Sequence, residues 1–142
     1  MHTFHSKANT FSRNLTSYFD LKLSSFGLAT SYVELLMLLN KNGGYTQKDL
    51  AEELSLAPST ITRFIDKLIK QDLVVKKRSG REVSVELTAK GDRLSSEMDD
   101  QYRKALADLE EIVGEKFIET VGKLLEYGNK ALNDLDKEKI ES

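Results

Sequence analysis

The stretch that decides the fold is TQKDLAEELSLAPSTITRFIDKLIKQDLVVKKRSGREVSVELTAKG, residues 46–91. Thr46 and Asp49 are three positions apart, the spacing of a capping box, so a short helix is predicted to begin directly after Thr46. Pro58, the only proline of the chain, suits the first position of a second helix, where a missing N–H costs nothing. The two helices, joined by a tight turn, give the order of a helix-turn-helix.

The second of these helices is predicted to have two contrasting faces. Apolar side chains recur at the i, i+3, i+4, i+7 spacing of a buried face at Ile61, Phe64, Ile65 and Leu68. The opposite face carries hydroxyl side chains near the helix start and cations further along, namely Ser59, Thr60, Thr62, Arg63, Lys67 and Lys70. This mixture suits the major groove, because the first turns approach base edges and long cations reach base acceptors or phosphates. An ordinary amphipathic helix with a solvated polar face would show the same pattern.

Residues 74–87 are predicted to form a two-stranded hairpin, which we call the wing. Val83, Val85 and Leu87 alternate with polar residues, and Ser79-Gly80 supplies the turn. The cations of the wing are Lys76, Lys77, Arg78 and Arg81. A narrow minor groove attracts arginine because of its enhanced negative potential. A solvated turn would also explain the hairpin, but its position directly behind the second helix favours DNA binding.

These residues resemble the multiple-antibiotic-resistance regulator (MarR) family of bacterial transcription factors. The resemblance rests on residues 46–51, 59–68, 72–74 and 87–91. It implies a homodimeric winged-helix repressor or activator that binds a pseudo-palindromic operator and is often released by a small ligand. The wing departs from the family pattern, since family wings commonly carry Asp-x-Arg on a longer loop and Ser79 stands at the Asp position here. A wing that reaches less far, or moves more, is therefore expected.

The predicted DNA contacts combine the helix and the wing. The major groove is assigned to Ser59, Thr60, Thr62, Arg63 and Lys67. The minor groove is assigned to Arg81, and phosphate contacts to Gln47 and Lys77. Thr46 and Arg78 complete the set. A winged-helix module that binds an acidic protein partner through the same hairpin is the alternative from another functional class.

The charge distribution agrees with this assignment, although the net charge is −2. Residues 58–93 carry nine Lys or Arg against five Asp or Glu, a balance of +4, whereas residues 94–142 carry seven against thirteen, a balance of −6. Residues 1–57 carry five of each sign. The acidic C-terminal helices are expected to point away from DNA and to limit non-specific binding.

The flanking residues predict further helices and a homodimer. We expect helices over residues 10–25, from a capping box at Ser31 and Glu34 to residues 42–44, and from Thr88 to Gly114, followed by a last amphipathic helix. The expected fold is mainly α with a small β-hairpin (α+β), a winged helix-turn-helix in residues 28–93 with dimerisation helices in residues 1–27 and 94–142. The long helices carry more apolar surface than the winged part can cover, so a second copy is implied. A monomer with these helices folded onto its own core is the alternative.

Composition excludes several classes of function. The chain has 142 residues, 39% of them hydrophobic, which suits one globular domain. No apolar run approaches the roughly 20 residues that span a membrane, and the polar N-terminus lacks a signal-peptide pattern. The chain has no cysteine, which fits a cytoplasmic protein and excludes disulfides, thiol sensing and Cys-based zinc sites.

No enzyme, cofactor or metal site is predicted. The only histidines, His2 and His5, lie near a terminus, which argues against a preorganised acid, base or ligand. A site made of these two residues and Asp20, in a metal-responsive regulator of the same fold, is the alternative. The family resemblance also implies a small aromatic or phenolic effector, for which the candidate pocket residues are Tyr18, Phe19, Phe26, Tyr32 and Met37. Aromatic residues at helical spacing are as easily explained by a plain core.

Overall fold

The computed structural model describes the backbone of residues 2–141 and the side chains of residues 2–138. Within them lie six α-helices, one short 3-10 helix (Ser24–Phe26) and one antiparallel hairpin. The bounds are α1 Phe4–Lys22, α2 Thr30–Lys41, α3 Gln47–Leu54, α4 Pro58–Lys70, β1 Val74–Ser79, β2 Glu82–Leu87, α5 Ala89–Val113 and α6 Glu115–Glu141. The predicted fold class, mainly α with a winged helix-turn-helix, is confirmed.

The residues predicted to begin the two helices of the helix-turn-helix, Thr46 with Asp49 and Pro58, do so in the structure. The Thr46 hydroxyl accepts a hydrogen bond from the Asp49 amide at 3.1 Å, and the Asp49 carboxylate accepts one from the Thr46 amide at 3.2 Å. The capping box therefore satisfies two amides that the first turn of α3 leaves open. Pro58 occupies the first turn of α4, and the connection bends at Ser55, which has a left-handed backbone with φ +53°.

Two predicted helix starts are wrong. The first helix begins at Phe4, not at residue 10, because Thr3 caps it by accepting a hydrogen bond from the Ser6 amide. The capping box predicted at Ser31 and Glu34 is absent from the start of α2. The Asp20 carboxylate of α1 takes its place, because it accepts hydrogen bonds from the Thr30 amide at 2.9 Å and the Thr30 hydroxyl at 2.6 Å.

The wing is a short hairpin. Ser79 pairs with Glu82, so only Gly80 and Arg81 form the turn, and Gly80 has the left-handed φ of +65° that such a turn requires. At the base of the wing, the Val85 amide donates to the Tyr45 carbonyl at 2.7 Å. The short loop expected from the sequence is therefore present, and the chain before α3 anchors β2. The predicted turn residues, Ser79 and Gly80, are wrong by one position, because Ser79 still pairs within β1 and the turn falls on Gly80 and Arg81.

The hydrophobic core lies under the helix-turn-helix and the wing. The side chains with almost no exposed surface include Leu35 and Leu36 of α2, together with Leu50, Ile61, Ile65, Leu68, Leu73, Val74 and Val85. These residues come from α2, α3, α4, the loop that follows α4, and both strands. Because α4 and the wing share this core, their positions relative to each other are fixed.

The start of α5 is tied to the loop between α4 and β1. The Thr88 hydroxyl donates to the Asp72 carbonyl at 2.7 Å and accepts from the Gly91 amide at 3.0 Å, and the Thr88 amide donates to the Leu73 carbonyl at 3.1 Å. Gly91 is buried against the same loop, so that a Cβ there would meet the Leu73 carbonyl oxygen at 2.0 Å. The predicted cap at Thr88 is confirmed, and Gly91 permits the close approach.

The chain divides into two compact units, residues 1–103 and 104–142. The first contains the helix-turn-helix, the wing and the first part of α5. The second contains the end of α5 and the whole of α6, separated by Gly114, whose φ is +97°. Among the described helices, none is long and apolar enough to cross a membrane.

Candidate nucleic-acid interface

The polar face of α4 points away from the core, as the sequence predicts. Ile61, Ile65 and Leu68 are fully buried. The candidate DNA-contacting side chains on the other face are exposed, apart from a half-buried Thr60, and comprise Ser59, Thr62, Arg63 and Lys67. Short polar groups at the start of the helix and Arg63 one turn later are the arrangement that fits a groove of duplex DNA.

Two of the candidate residues are hydrogen bonded to each other. The Gln47 side-chain amide of α3 donates to the Thr62 hydroxyl of α4 at 3.1 Å, and that hydroxyl donates to the Pro58 carbonyl at 3.1 Å. Gln47 is half-buried, and the bond links the two helices at their polar edges. The nearby Thr46 hydroxyl caps α3, so it has a structural role in addition to any contact with DNA.

Lys67 makes a contact that the sequence pattern did not reveal. Its ammonium nitrogen lies 4.8 Å from the centre of the Tyr32 ring, which stacks on Phe64 with centroids 3.9 Å apart. Tyr32 is one of the predicted effector-pocket residues, and in the structure it packs on α4. The cation–π contact holds the Lys67 head group near the start of α2.

The register of the wing separates its cations onto two faces. Lys76 lies opposite Val85 and Arg78 opposite Val83, so these two cations share the face that carries the core valines. Lys77 lies on the other face, where its ammonium forms an ion pair with Glu86 at 3.4 Å. Arg81 is exposed in the turn itself. The sequence cluster is therefore not one continuous patch, and Lys77 is partly neutralised.

A small cavity of about 230 Å³ lies beside the core of the first unit. Its lining comprises Glu34, Met37, Leu38, Lys41, Glu53, Leu54 and Tyr102. Burial raises the pKa of the Glu34 carboxyl, and burial together with the charge of Glu34 raises the pKa of the Tyr102 hydroxyl. One cation, two carboxylates and a phenol thus line this cavity together with three apolar side chains.

Of the five predicted effector residues, Met37 lines this cavity. Phe19 is buried and stacks on Tyr102 with centroids 4.7 Å apart, while Tyr18 meets Phe19 edge to face at 5.3 Å. Phe26 is half-buried in the 3-10 helix. Sequence reasoning missed Glu34, Lys41 and Tyr102, although their mixture of charge and phenol on α2 and α5 was visible in the sequence.

Asp20, which belongs to the alternative metal site, accepts hydrogen bonds from Thr30 at the start of α2. The hydrogen bonds from the Thr30 hydroxyl and the Thr30 amide hold the pKa of the Asp20 carboxyl below its usual value. Among the described residues, which include both histidines, no three His, Asp or Glu side chains come together to hold a metal ion.

Comparison with known proteins identifies the segment that carries this site. The model of the MarR family matches residues 30–83, which run from α2 to the second wing strand. This match covers 54 of the 142 residues. The resemblance to the MarR family predicted from the sequence is confirmed.

A curated relative of the chain is the HTH-type transcriptional regulator MntR of Shouchella clausii (strain KSM-K16), which is 35% identical over 85 residues. That match covers 58% of this chain and 56% of the relative, so it spans little more than half of either protein.

Solved structures share the fold over nearly the whole chain. NadR in complex with 4-hydroxyphenylacetate has a TM-score of 0.79 and 22% identity over 94% of this chain and 99% of its own. The Staphylococcus aureus MepR–DNA complex has a TM-score of 0.79 and 20% identity over 93% and 99%. MarR from E. coli, in its apo form, has a TM-score of 0.71 and 17% identity over 89% and 97%. The MarR-like winged-helix fold is therefore shown, while the DNA contacts of individual residues remain predictions.

Proposed function

We propose that the protein is a sequence-specific, DNA-binding transcriptional regulator that binds a pseudo-palindromic operator as a homodimer and acts as a repressor. The observation that carries the proposal is the exposed polar face of α4, which one core holds beside the cationic wing. The excess of positive charge in residues 58–93 supports it, because phosphate neutralisation supplies much of the affinity for DNA. The match to the model of the MarR family covers both elements up to Val83.

The homodimer is supported by apolar side chains that each unit leaves in solvent. In α1, Phe4 is 89% exposed and Leu21 is 73% exposed. In α6, apolar side chains with about half or more of their surface exposed are Leu124, Leu125, Tyr127, Leu132 and Leu135. Such surface is typical of an interface, and a second copy would cover it. A two-fold dimer would read half-sites about one helical turn, roughly 34 Å, apart. Light scattering should give twice the monomer mass at micromolar concentration, and a monomer mass would contradict the dimer.

The DNA-reading role is tested by Arg63→Ala, with binding measured by fluorescence anisotropy on promoter and unrelated duplexes. Arg63 is exposed on α4, and a guanidinium bound to a base edge contributes about 1–3 kcal/mol of discrimination. We therefore expect the preference for the promoter to fall by roughly 5- to 150-fold.

Arg13→Ala is the matched control, because it removes the same charge from an exposed position on α1, and light scattering checks that this variant has the same mass as the parent. It should leave the preference unchanged. If Arg63→Ala binds the promoter as tightly as the parent, α4 does not read the bases. If the parent prefers an acidic protein over every duplex, the wing serves a protein partner.

Release by a small aromatic or phenolic acid is a second proposal, and the cavity beside α2 favours it. The Lys41 ammonium can pair with a carboxylate, and the half-buried Glu34 can bind a hydroxyl group next to Tyr102. NadR, which shares the fold, binds 4-hydroxyphenylacetate. Calorimetry with that acid should show binding that Lys41→Met weakens at least tenfold. Equal binding by the parent and Lys41→Met would show that the acid does not use this cavity.

A further inference from the structure

The Thr62 hydroxyl is already engaged within the protein. Its single proton is donated to the Pro58 carbonyl at 3.1 Å, and one of its two lone pairs accepts the Gln47 amide at 3.1 Å. Thr62 therefore has no proton left to donate to a base acceptor such as guanine O6 or thymine O4. Its position on the exposed face of α4 still brings the side chain toward any bound duplex.

The second lone pair of the Thr62 hydroxyl can still accept a proton from adenine N6 or cytosine N4, so the remaining groups are one acceptor and the γ-methyl, and the methyl is the only apolar one. In the major groove, the base-edge group that matches a methyl is the C5-methyl of thymine, which is recognised by apolar contact. Thr62 follows Ser59 by three residues and precedes Arg63, so it lies among the side chains assigned to base edges. The two internal hydrogen bonds fix the rotamer of Thr62. The γ-methyl therefore keeps one position on the surface of α4.

We infer that Thr62 is a specificity-determining residue that reads thymine through its methyl group, with its hydroxyl held inside the protein by Gln47 and Pro58. This inference rests on the proposed function. It assigns a hydrophobic contact to a residue whose type alone would suggest a hydrogen bond, and it predicts a thymine in each operator half-site opposite Thr62.

The test combines protein variants with operators in which single thymines are replaced by uracil, which removes only the C5-methyl. Replacing the symmetry-related pair opposite Thr62 should weaken binding by the parent about fourfold for each half-site, the value of one buried methyl. Thr62→Val keeps the methyl and should retain this uracil penalty, because valine in a helix strongly prefers one χ1 rotamer. Thr62→Ser keeps the hydroxyl and should lose the penalty together with the corresponding affinity.

Other outcomes separate the inference from the proposed function. If the parent binds its operator but tolerates uracil at every thymine, the methyl reading is wrong. It is equally wrong if Thr62→Ser retains the penalty, or if Thr62→Val loses affinity while Thr62→Ser does not. A parent that prefers no operator over unrelated DNA overturns the proposed function and this inference with it. Thermal unfolding of both variants within a few degrees of the parent confirms that the folded proteins are being compared.

Discussion

Gly91 is the position at which one added methyl group should disturb the winged domain most. An alanine Cβ there would lie 2.0 Å from the Leu73 carbonyl oxygen, with the Leu73 carbonyl carbon at 3.0 Å. Both neighbours are backbone, so the clash cannot be relieved by rotating a side chain. The start of α5 must move by about 1 Å from the loop after α4, since an ordinary contact needs more than 3 Å.

That movement also stretches the hydrogen bonds of Thr88 to Asp72 and Leu73. Overpacking typically costs about 1–3 kcal/mol, and weakening of these bonds adds about 1 kcal/mol. Gly91→Ala should therefore lower the free energy of unfolding by about 2–4 kcal/mol. For a chain of this length the Tm should fall by roughly 5–15 °C. Urea and thermal denaturation followed by circular dichroism measure both quantities.

Gly122→Ala is the matched control, because Gly122 lies inside α6 with no atom within 4 Å of the added Cβ. Alanine has the higher helix propensity, so this variant should be more stable by about 0.5–1 kcal/mol. A Gly91→Ala protein within 0.5 kcal/mol of the parent would refute the reasoning that this glycine is required for the contact.

Three further predictions follow from charged side chains. Asp20→Ala should lower stability at pH 7 by about 1–2 kcal/mol, since it removes both hydrogen bonds to Thr30. Because the folded pKa of Asp20 is lowered, this difference should be complete above pH 3.8 and vanish as the pH falls through the folded pKa, as acid-dependent urea denaturation would show. Glu86→Gln should release Lys77 for phosphate, tighten binding to all duplexes and steepen the slope of log K against log salt by about 0.9 per subunit. An unchanged slope would contradict the idea that Glu86 keeps Lys77 from a phosphate. Glu34→Gln should stabilise the protein by a few tenths of a kcal/mol at pH 7 and lose that advantage near pH 4.5, because the raised pKa makes the charged form unfavourable in the fold; equal stability of both proteins at neutral pH would contradict it.

Local signals in the sequence were sufficient for the helix-turn-helix and the wing. The capping box of Thr46 and Asp49, Pro58 at a helix start and Gly80 in a two-residue turn each act over a few residues. Such signals can be read without knowing the rest of the fold. They also explain why the exposed face of α4 was assigned correctly from periodicity alone.

Contacts between distant residues could not be predicted in this way. Asp20 caps α2 from ten residues away, and Tyr32 stacks on Phe64 across half of the winged domain's sequence. Neither contact joins residues at a characteristic sequence spacing, so no sequence pattern predicts it. The start of α1 was placed too late because the exposed Phe4 and the polar residues after it lack apolar periodicity, whereas the local cap at Thr3 was sufficient.

The sequence also did not reveal which cations of the wing share a face or pair with an acid. Charge clustering along the sequence treats Lys76, Lys77 and Arg78 as one group, but a strand alternates its faces with every residue. The acid that neutralises Lys77 comes from the opposite strand, two positions along in the register. Counting charges therefore overestimates the positive surface that the wing presents.

Footprinting on the DNA that flanks the protein's own gene tests the central claim most directly. At physiological salt and in excess unrelated DNA, we predict protection of one two-fold symmetric site, with half-sites about one helical turn apart on the same face of the duplex. Binding should weaken steeply as salt rises, in proportion to the number of phosphates contacted. Protection that disappears with unrelated competitor, or that shows no symmetric site, would contradict a sequence-specific dimeric regulator.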